Sequence, residues 1–237
     1  MKVKIRQAQV FVTGKKVRLA IKSHLFSKWI NSLDSSFTVR RIEIQSVDTV
    51  TRNSKEEVLF LKIKANIVDS RGRFLPGIVF LRGDSVGIFI LLHTPKTEYV
   101  VLIESNLPAI GERRYPQLPA GMMDKETDVI QVALREMAEE TNLDPAEGVM
   151  TYLTHIYPSP GACDEMIHLI LHEQTMSERK VKNLQGKKTG LAGEHEHLTL
   201  KVVELDDLCG CTSDVKAHSA YLMYLKIKKE RNKHENY

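Results

Sequence analysis

Leu118-Pro119-Ala120-Gly121-Met122-Met123-Asp124 leads, through Thr127, to Arg135-Glu136-Met137-Ala138-Glu139-Glu140-Thr141-Asn142-Leu143. The second half of this stretch has helical spacing. Val129, Val132, Ala133 and Met137 recur three and four apart and make one apolar stripe. Thr127 or Asp128 supplies a short oxygen for a free backbone N–H at the helix start. On another side Glu136 and Glu140 stand four apart with Glu139 beside them, so carboxylates crowd one patch. Each like-charged pair costs roughly 0.2–0.5 kcal/mol on an open helix. An ordinary solvated face interleaves lysines, yet between Asp128 and Asp144 the only basic residue is Arg135. The positive charge has to come from elsewhere, and hard oxygen ligands suit Mg²⁺ or Mn²⁺.

Outward from that stretch, the 237 residues suffice for one large domain or for a small one and a medium one. Apolar content of 42% and charged content of 27% are those of an ordinary globular protein. A net charge of +4 is too small to point to nucleic acid or a membrane surface. No apolar run approaches ~20 residues, so no spanning helix is expected. Three cysteines, Cys163, Cys209 and Cys211, fit a reducing compartment. Cys209-Gly210-Cys211 is too tight for a usual zinc pair and has no second pair with it. The chain carries no acid before Asp34 and many lysines and arginines there, which also describes a presequence for mitochondrion or plastid. Strand-like alternation and the lack of serine before Ser23 favour the cytoplasm instead.

In chain order, Val3, Ile5, Val10 and Val12, then Val17, Leu19 and Ile21, predict two strands around Thr13-Gly14-Lys15. Phe26, Trp29, Ile30 and Leu33 predict a short amphipathic helix after Ser23, with the tryptophan in the core. Strands are expected at Val39–Ile44, Val58–Ile67, Gly77–Leu81, Val86–Leu92 and Tyr99–Ile103. A division near Gly83 separates a β-rich part, 1–83, from a second part, 84–237. After the acidic helix, strands are expected at Met150–Ile156, Met166–Leu171 and Leu198–Val203. Tyr157–Glu165 reads as a loop, and Met176–Glu196 as a long one. A closing helix from about Ser213 is expected to bury Val215, Leu222 and Leu225 before a frayed tail, Lys226 to Tyr237. In the late loop, Glu194-His195-Glu196-His197 presents glutamates on a segment free to close over a ligand. Its two histidines, on one face of an extended chain, leave a zinc reading open beside that of solvated imidazoles.

The turn and acidic helix resemble the Nudix box, a glycine loop followed by a helix bearing Arg-Glu-x-x-Glu-Glu. Gly121, Arg135, Glu136, Met137, Glu139, Glu140 and Leu143 fall at the expected spacing, while Thr127 stands for a glutamate and Asn142 for a glycine. Further segments resemble the ADP-sugar diphosphatase branch: Phe26–Trp29, Pro76–Phe80, Leu118–Met122, Pro158–Glu165 and Leu184–Leu191. The resemblance implies an α/β protein, an α/β/α sandwich around a mixed sheet with an N-terminal β-rich subdomain, and a homodimer made through that subdomain. It implies a Mg²⁺- or Mn²⁺-dependent hydrolase that splits ADP-glucose or ADP-ribose into AMP and a sugar phosphate. Glu136, Glu140 and the carbonyl of Ala120 would hold the metal, with Glu139, also a catalytic residue, joining them if more than one ion binds. Arg135 would brace the loop, and Glu194 or Glu196 would be the base. Gln117 and Ser105-Asn106-Leu107-Pro108 depart from the branch, which leaves phosphate contacts to Arg113 and Arg114. A domain that binds nucleotide or RNA without hydrolysing it is the alternative. Basic residues without interleaved aromatic stacking make nucleic acid the weaker partner.

Overall fold

The computed structural model describes residues 1–5, 8–52, 54–191 and 197–234. The chain forms two compact units: Met1–Asp84 with Tyr157–Glu165, and Ser85–Ile156 with Met166–Tyr237.

The first unit is a twisted sheet with two short helices. Its elements are β1 (Lys2–Ile5), β2 (Ala8–Gly14), α1 (Val17–Lys22), α2 (His24–Ser32), β3 (Thr38–Arg52), β4 (Lys55–Val68), β5 (Phe74–Leu75) and β6 (Ile78–Leu81). The strands run β1-β2-β3-β4-β5, with β6 also on β4; β2 and β3 are parallel and the other pairs antiparallel. Ile42, Ile44, Leu61, Ile63 and Leu81 meet Ala20, Phe26 and Trp29 in one core. Ser23 caps α2, its hydroxyl accepting the Phe26 N–H at 3.2 Å. The expected second strand at Val17–Ile21 is instead helix α1. Its buried side is Val17, Ala20 and Ile21, an i, i+3, i+4 set that turns to the core, and this packing overrides a five-residue alternation. The loop Tyr157–Glu165 completes the free edge of β6. Phe80 N–H donates to Ala162 O at 2.7 Å, and the Asp164 carboxylate accepts the N–H groups of Arg82 at 2.7 Å and Gly83 at 3.2 Å.

The second unit comprises β7 (Ser85–His93), β8 (Glu98–Leu107), β9 (Glu112–Gln117), β10 (Ala120–Met122), α3 (Val129–Thr141), β11 (Val149–Ile156), β12 (Ile167–Thr175), α4 (Glu178–Lys182), β13 (Lys188–Thr189), β14 (Leu198–Glu204), α5 (Leu208–Cys211) and α6 (Val215–His234). The sheet runs β11-β12-β7-β8-β14-β13, with β10 on β7 and β9 on β8; only β12 and β7 pair in parallel. Strand β7 is apolar from Val86 to Leu92 because both of its faces are covered. Val86, Ile88 and Ile90 pack under α3 with Val132, Ala133 and Met137. Phe89 and Leu91 pack under α6 with Ala217, Ala220 and Tyr224. This is the expected α/β/α sandwich around a mixed sheet.

Three expectations fail here. Helix α6 exposes Val215, Leu222 and Leu225, which are 48%, 66% and 39% accessible. Two small alanines let it lie close to the sheet, and the Tyr224 hydroxyl donates to Glu98 Oε1 at 2.8 Å. The tail expected to fray is helical to His234, held by Arg231, which reaches both Glu173 oxygens at 2.7 and 2.9 Å. The stretch read as one long loop contains α4 and β13, since Val181 and Leu184 enter the core under α3.

Candidate active site

The turn Ala120-Gly121 is fixed on the sheet by β10, with Ala120 opposite Gly87 and Gly121 opposite Val86. Above it lies α3. Asp128, rather than Thr127, caps that helix, its carboxylate accepting the N–H groups of Ile130 at 3.0 Å and Gln131 at 3.1 Å. Asn142 ends it in the left-handed conformation at φ 55° and donates its N–H to Ala138 O at 3.0 Å. That is the backbone glycine adopts most readily, and asparagine tolerates it.

Between these ends α3 aims two carboxylates at the turn. Glu140, only 7% exposed, accepts the Ala120 N–H on Oε2 at 2.8 Å. Glu136 lies on the bare Cα of Gly121. A Cβ there would stand 2.0 Å from Glu136 Cδ and 2.2 and 2.3 Å from its oxygens. Only glycine leaves room for this carboxylate. Arg135 flanks it, donating from Nη2 to Glu136 Oε1 at 3.0 Å and from Nη1 to Glu126 Oε1 at 2.6 Å. The hydrogen bond to Glu136, ahead of that to Glu126, raises the guanidinium's pKa. Glu139 lies farther out, 4.0 Å from Arg135 Nε.

Two sets of contacts escaped the sequence reading. Glu126 braces Arg135, the work that the resemblance assigns to a glutamate at the position of Thr127; the sequence signal is an acid displaced by one residue. The second set comes from the start of α6 and clamps the strand leading into the turn. Thr212 donates its hydroxyl to Pro116 O at 2.6 Å, and the buried Asp214 accepts the Leu118 N–H at 2.9 Å. Lys216 pairs with Asp214 at 2.9 Å. No local pattern predicts contacts between residues 96 apart.

Of the other expected site residues, Arg113 and Arg114 are exposed on β9. Arg114 has φ 60° and places Nε and Nη2 on Glu104 Oε2 at 2.9 and 2.7 Å. Glu194 and Glu196, with His195, lie outside the described residues. Among the described residues no three His, Cys, Asp or Glu side chains form a ready metal cage. The donors at the turn are nevertheless all oxygens, two of them carboxylates set against one backbone corner, and this is the chemistry of a hard divalent cation.

The NUDIX domain family model matches residues 81–225, well over half of the chain. The chain belongs to the Nudix family. A Nudix hydrolase of Arabidopsis thaliana, called Nudix hydrolase 14, chloroplastic, is 32% identical over 238 residues, covering 92% of this chain and 75% of that protein. An ADP-ribose pyrophosphatase of Bacillus subtilis is 31% identical over 121 residues, 49% of this chain and 60% of the other. A crystal structure of an ADP compounds hydrolase superposes with a TM-score of 0.52 at 16% identity, over 82% of this chain and 97% of that one, a likeness of fold. This Nudix protein is thus an enzyme of the hydrolase class, and Nudix hydrolases generally need divalent metal ions, usually Mg²⁺. Among its described residues no helix is long and apolar enough to cross a membrane.

Proposed function

We propose that this Nudix hydrolase splits the diphosphate of an ADP-sugar, ADP-glucose or ADP-ribose, into AMP and a sugar phosphate. The observation that carries the reading is the pair of carboxylates, Glu136 against Gly121 and Glu140 on the Ala120 N–H. Glu136, Glu139, Glu140 and the Ala120 carbonyl would hold Mg²⁺ or Mn²⁺. Such an ion, when bound, neutralises diphosphate charge, polarises phosphorus and acidifies attached water.

The remaining work belongs to the chain's own groups. Arg135, fixed by Glu126, holds the Glu136 carboxylate at the turn. Glu140 holds the Ala120 N–H and so fixes the peptide unit between Pro119 and Ala120, next to the carbonyl that would hold the metal. Thr212 and Asp214 fix the strand that enters the turn, so that both halves of the site share one rigid frame. Arg113, exposed on β9, is the better placed of the two arginines to take a phosphate oxygen, because Arg114 already serves Glu104. Glu194 or Glu196 is the base that takes the proton from the attacking water. A homodimer through the N-terminal β-rich part, 1–83, belongs to the same reading, with 84–237 as the hydrolase part. The ADP-ribose pyrophosphatases among the relatives support the substrate class. The chloroplastic relative supports a plastid location.

Incubation with ADP-glucose or ADP-ribose and Mg²⁺ should release AMP. Glu140→Gln, which can still accept the Ala120 N–H, should lower the rate by about 10² or more through loss of charge. Absence of turnover by the wild type across a broad diphosphate panel would refute the proposal.

A further inference from the structure

Strand β4 sends Leu61, Ile63, Ala65 and Ile67 into the core of the first unit, so alternation turns Phe60, Lys62, Lys64 and Asn66 to the other side of the sheet. Register brings further residues beside that outer row. Phe80 and Ile78 of β6 stand opposite Lys62 and Lys64, and Phe74 of β5 stands opposite Val68. On the β3 side Arg41 stands opposite Asn66, Glu43 opposite Lys64 and Asp48 opposite Phe60. Basic residues that lack interleaved aromatics along the sequence acquire them in space through strand pairing.

The apolar members of this surface lie open. Phe74 is 69% accessible, Ile78 53% and Phe80 36%. Phe60 packs obliquely on Phe80, with ring centroids 5.4 Å apart. The Arg40 guanidinium lies 5.6 Å from the centre of the Phe74 ring, a cation–π distance. Arg40, Arg41, Lys62 and Lys64 are all exposed, and on this surface they outnumber Glu43 and Asp48. Near Phe74 and Ile78 the face sinks into a cavity of about 380 Å³, lined also by Arg41, Lys64 and Asn66. Gly77 lies flat on β4 there, since a Cβ would stand 1.8 Å from the Ala65 carbonyl oxygen.

A row of rings beside a row of cations selects the ligand. Two-fold pairing of this face with itself would set the cations of one copy against those of the other, because such an interface uses one patch twice. The dimer proposed above would therefore use another surface of the same part. A nucleic-acid duplex supplies phosphates but keeps its base planes stacked on one another. A single strand offers both phosphates and open base planes in a regular repeat, and phenylalanines accept any base because every base has a π-face. Along β4 the run from Phe60 to Val68, where Phe74 sits, is roughly 26 Å long. That length suits about four nucleotides, the low end of single-strand site sizes.

We propose that the outer face of β3, β4, β5 and β6 binds single-stranded nucleic acid, with bases stacked on Phe74 and Phe80 and phosphates held by Arg41, Lys62 and Lys64. RNA and single-stranded DNA share this chemistry, and the test separates them. No metal is required, so binding here is independent of the diphosphatase reading.

The full chain is titrated in EDTA, which silences metal-dependent hydrolysis, into fluorescein-labelled oligouridylate, oligothymidylate and a DNA duplex of equal length, with anisotropy as the readout. A single strand should bind roughly tenfold or more above the duplex, and the tighter of the two strands names the sugar. Phe74→Ala and Phe80→Ala should each weaken binding roughly five- to hundredfold, the loss of one stacked base. Lys62→Gln and Lys64→Gln should each lower the slope of log affinity against log salt by about 0.7. Both lysines are exposed, so their slopes still report on the face if Phe80→Ala fails to fold. Three results would each overturn the proposal: no single-strand binding up to about 10⁻⁴ M, a duplex bound as tightly as the strands, or affinities and slopes unchanged in the Phe74 and lysine variants. Sedimentation of the same variants reads self-association. A wild-type dimer that Phe74→Ala or Lys64→Gln converts to monomer would give the face to a second copy of the chain and overturn it as well.

Discussion

Gly121→Ala puts the carboxylate cradle to a quantitative test. The backbone at Gly121 is not left-handed, so alanine brings no φ strain. Its methyl carbon would lie 2.0 Å from Glu136 Cδ and 2.2 and 2.3 Å from the oxygens, against 3.4–4 Å for ordinary contact. All three nearest atoms belong to Glu136, a side chain able to withdraw by about 1.5 Å. Forcing it off its rotamer costs roughly 0.5–1.5 kcal/mol. The lost bond to Arg135, whose side chain is 41% exposed, adds at most about 1 kcal/mol after screening. A sum of about 1–2 kcal/mol corresponds to a fall of roughly 2–8 °C in Tm for a chain of this size. Function should suffer far more, since a displacement of about 1 Å in a positioned group costs on the order of 10² in rate. Melting curves, AMP release with Mg²⁺ and Mn²⁺ titration by electron paramagnetic resonance give the three readouts. Adding Glu136→Asp, one methylene shorter, should restore the melting temperature and not the turnover. A variant that binds Mn²⁺ and turns over like the wild type would refute the reasoning. So would a Tm loss unchanged by Glu136→Asp, since the overlap would then lie elsewhere.

Asp214→Ala orphans the buried Leu118 N–H at a cost of about 1–3 kcal/mol, and it should lower both Tm and turnover. Asp214→Asn, which keeps an acceptor, should recover most of the Tm; no difference between the two substitutions would count against the clamp. Glu126→Ala should leave Tm within about 2 °C because its partner is exposed, while weakening Mn²⁺ binding severalfold as Arg135 loosens beside Glu136. An unchanged Mn²⁺ titration would remove Glu126 from the site. His172 gives a pH signature. Burial, opposed by its hydrogen bond to the Pro145 carbonyl, lowers its pKa, so the folded chain takes up this proton at lower pH than the unfolded chain, which protonates from about pH 6.5 downward. Its stabilising share is therefore present above about pH 6.5 and is lost as pH falls below that value. His172→Gln should flatten the dependence of Tm on pH below about 6.5, and an unaltered slope would assign that dependence to other groups.

How legible the molecule is depends on where each signal lies. Helix α3 could be read because one side packs and the other carries chemistry, and both leave helical periods in the sequence: Val132 and Met137 for the core, Glu136 and Glu140 for the turn. Strand β7 could be read because burial on two faces leaves an unbroken apolar run. Helix α6 misled because hydrophobicity picks out Leu222 and Leu225, whereas close approach to the sheet selects Ala217 and Ala220. Residues 17–21 misled because five positions fit two periods, and only packing around Ala20 decides between them. The brace at Glu126 left only an acid displaced by one position, and the clamp at Asp214 is a matter of geometry between distant residues, of which a single sequence carries no trace. The same holds for the meeting of Phe80 with Lys62 and of Ile78 with Lys64, which required the register of β4 and β6.

The loop Tyr157–Glu165 has a consequence for the order in which the protein is made. It finishes the first unit, yet its Asp164 lies 82 residues beyond the Arg82 amide that it receives. At roughly 5–20 residues per second, the ribosome delivers that carboxylate about 4–16 s after Arg82 itself. Through that interval the outer edge of β6 and the amides of Arg82 and Gly83 wait without their final acceptors, while most of the second unit's sheet is being synthesised. An emerging chain with an open strand edge is a target for chaperones and for neighbouring nascent chains. The first unit is thus first in sequence yet incomplete until residue 165, and a nascent chain stalled before that residue would carry that edge exposed.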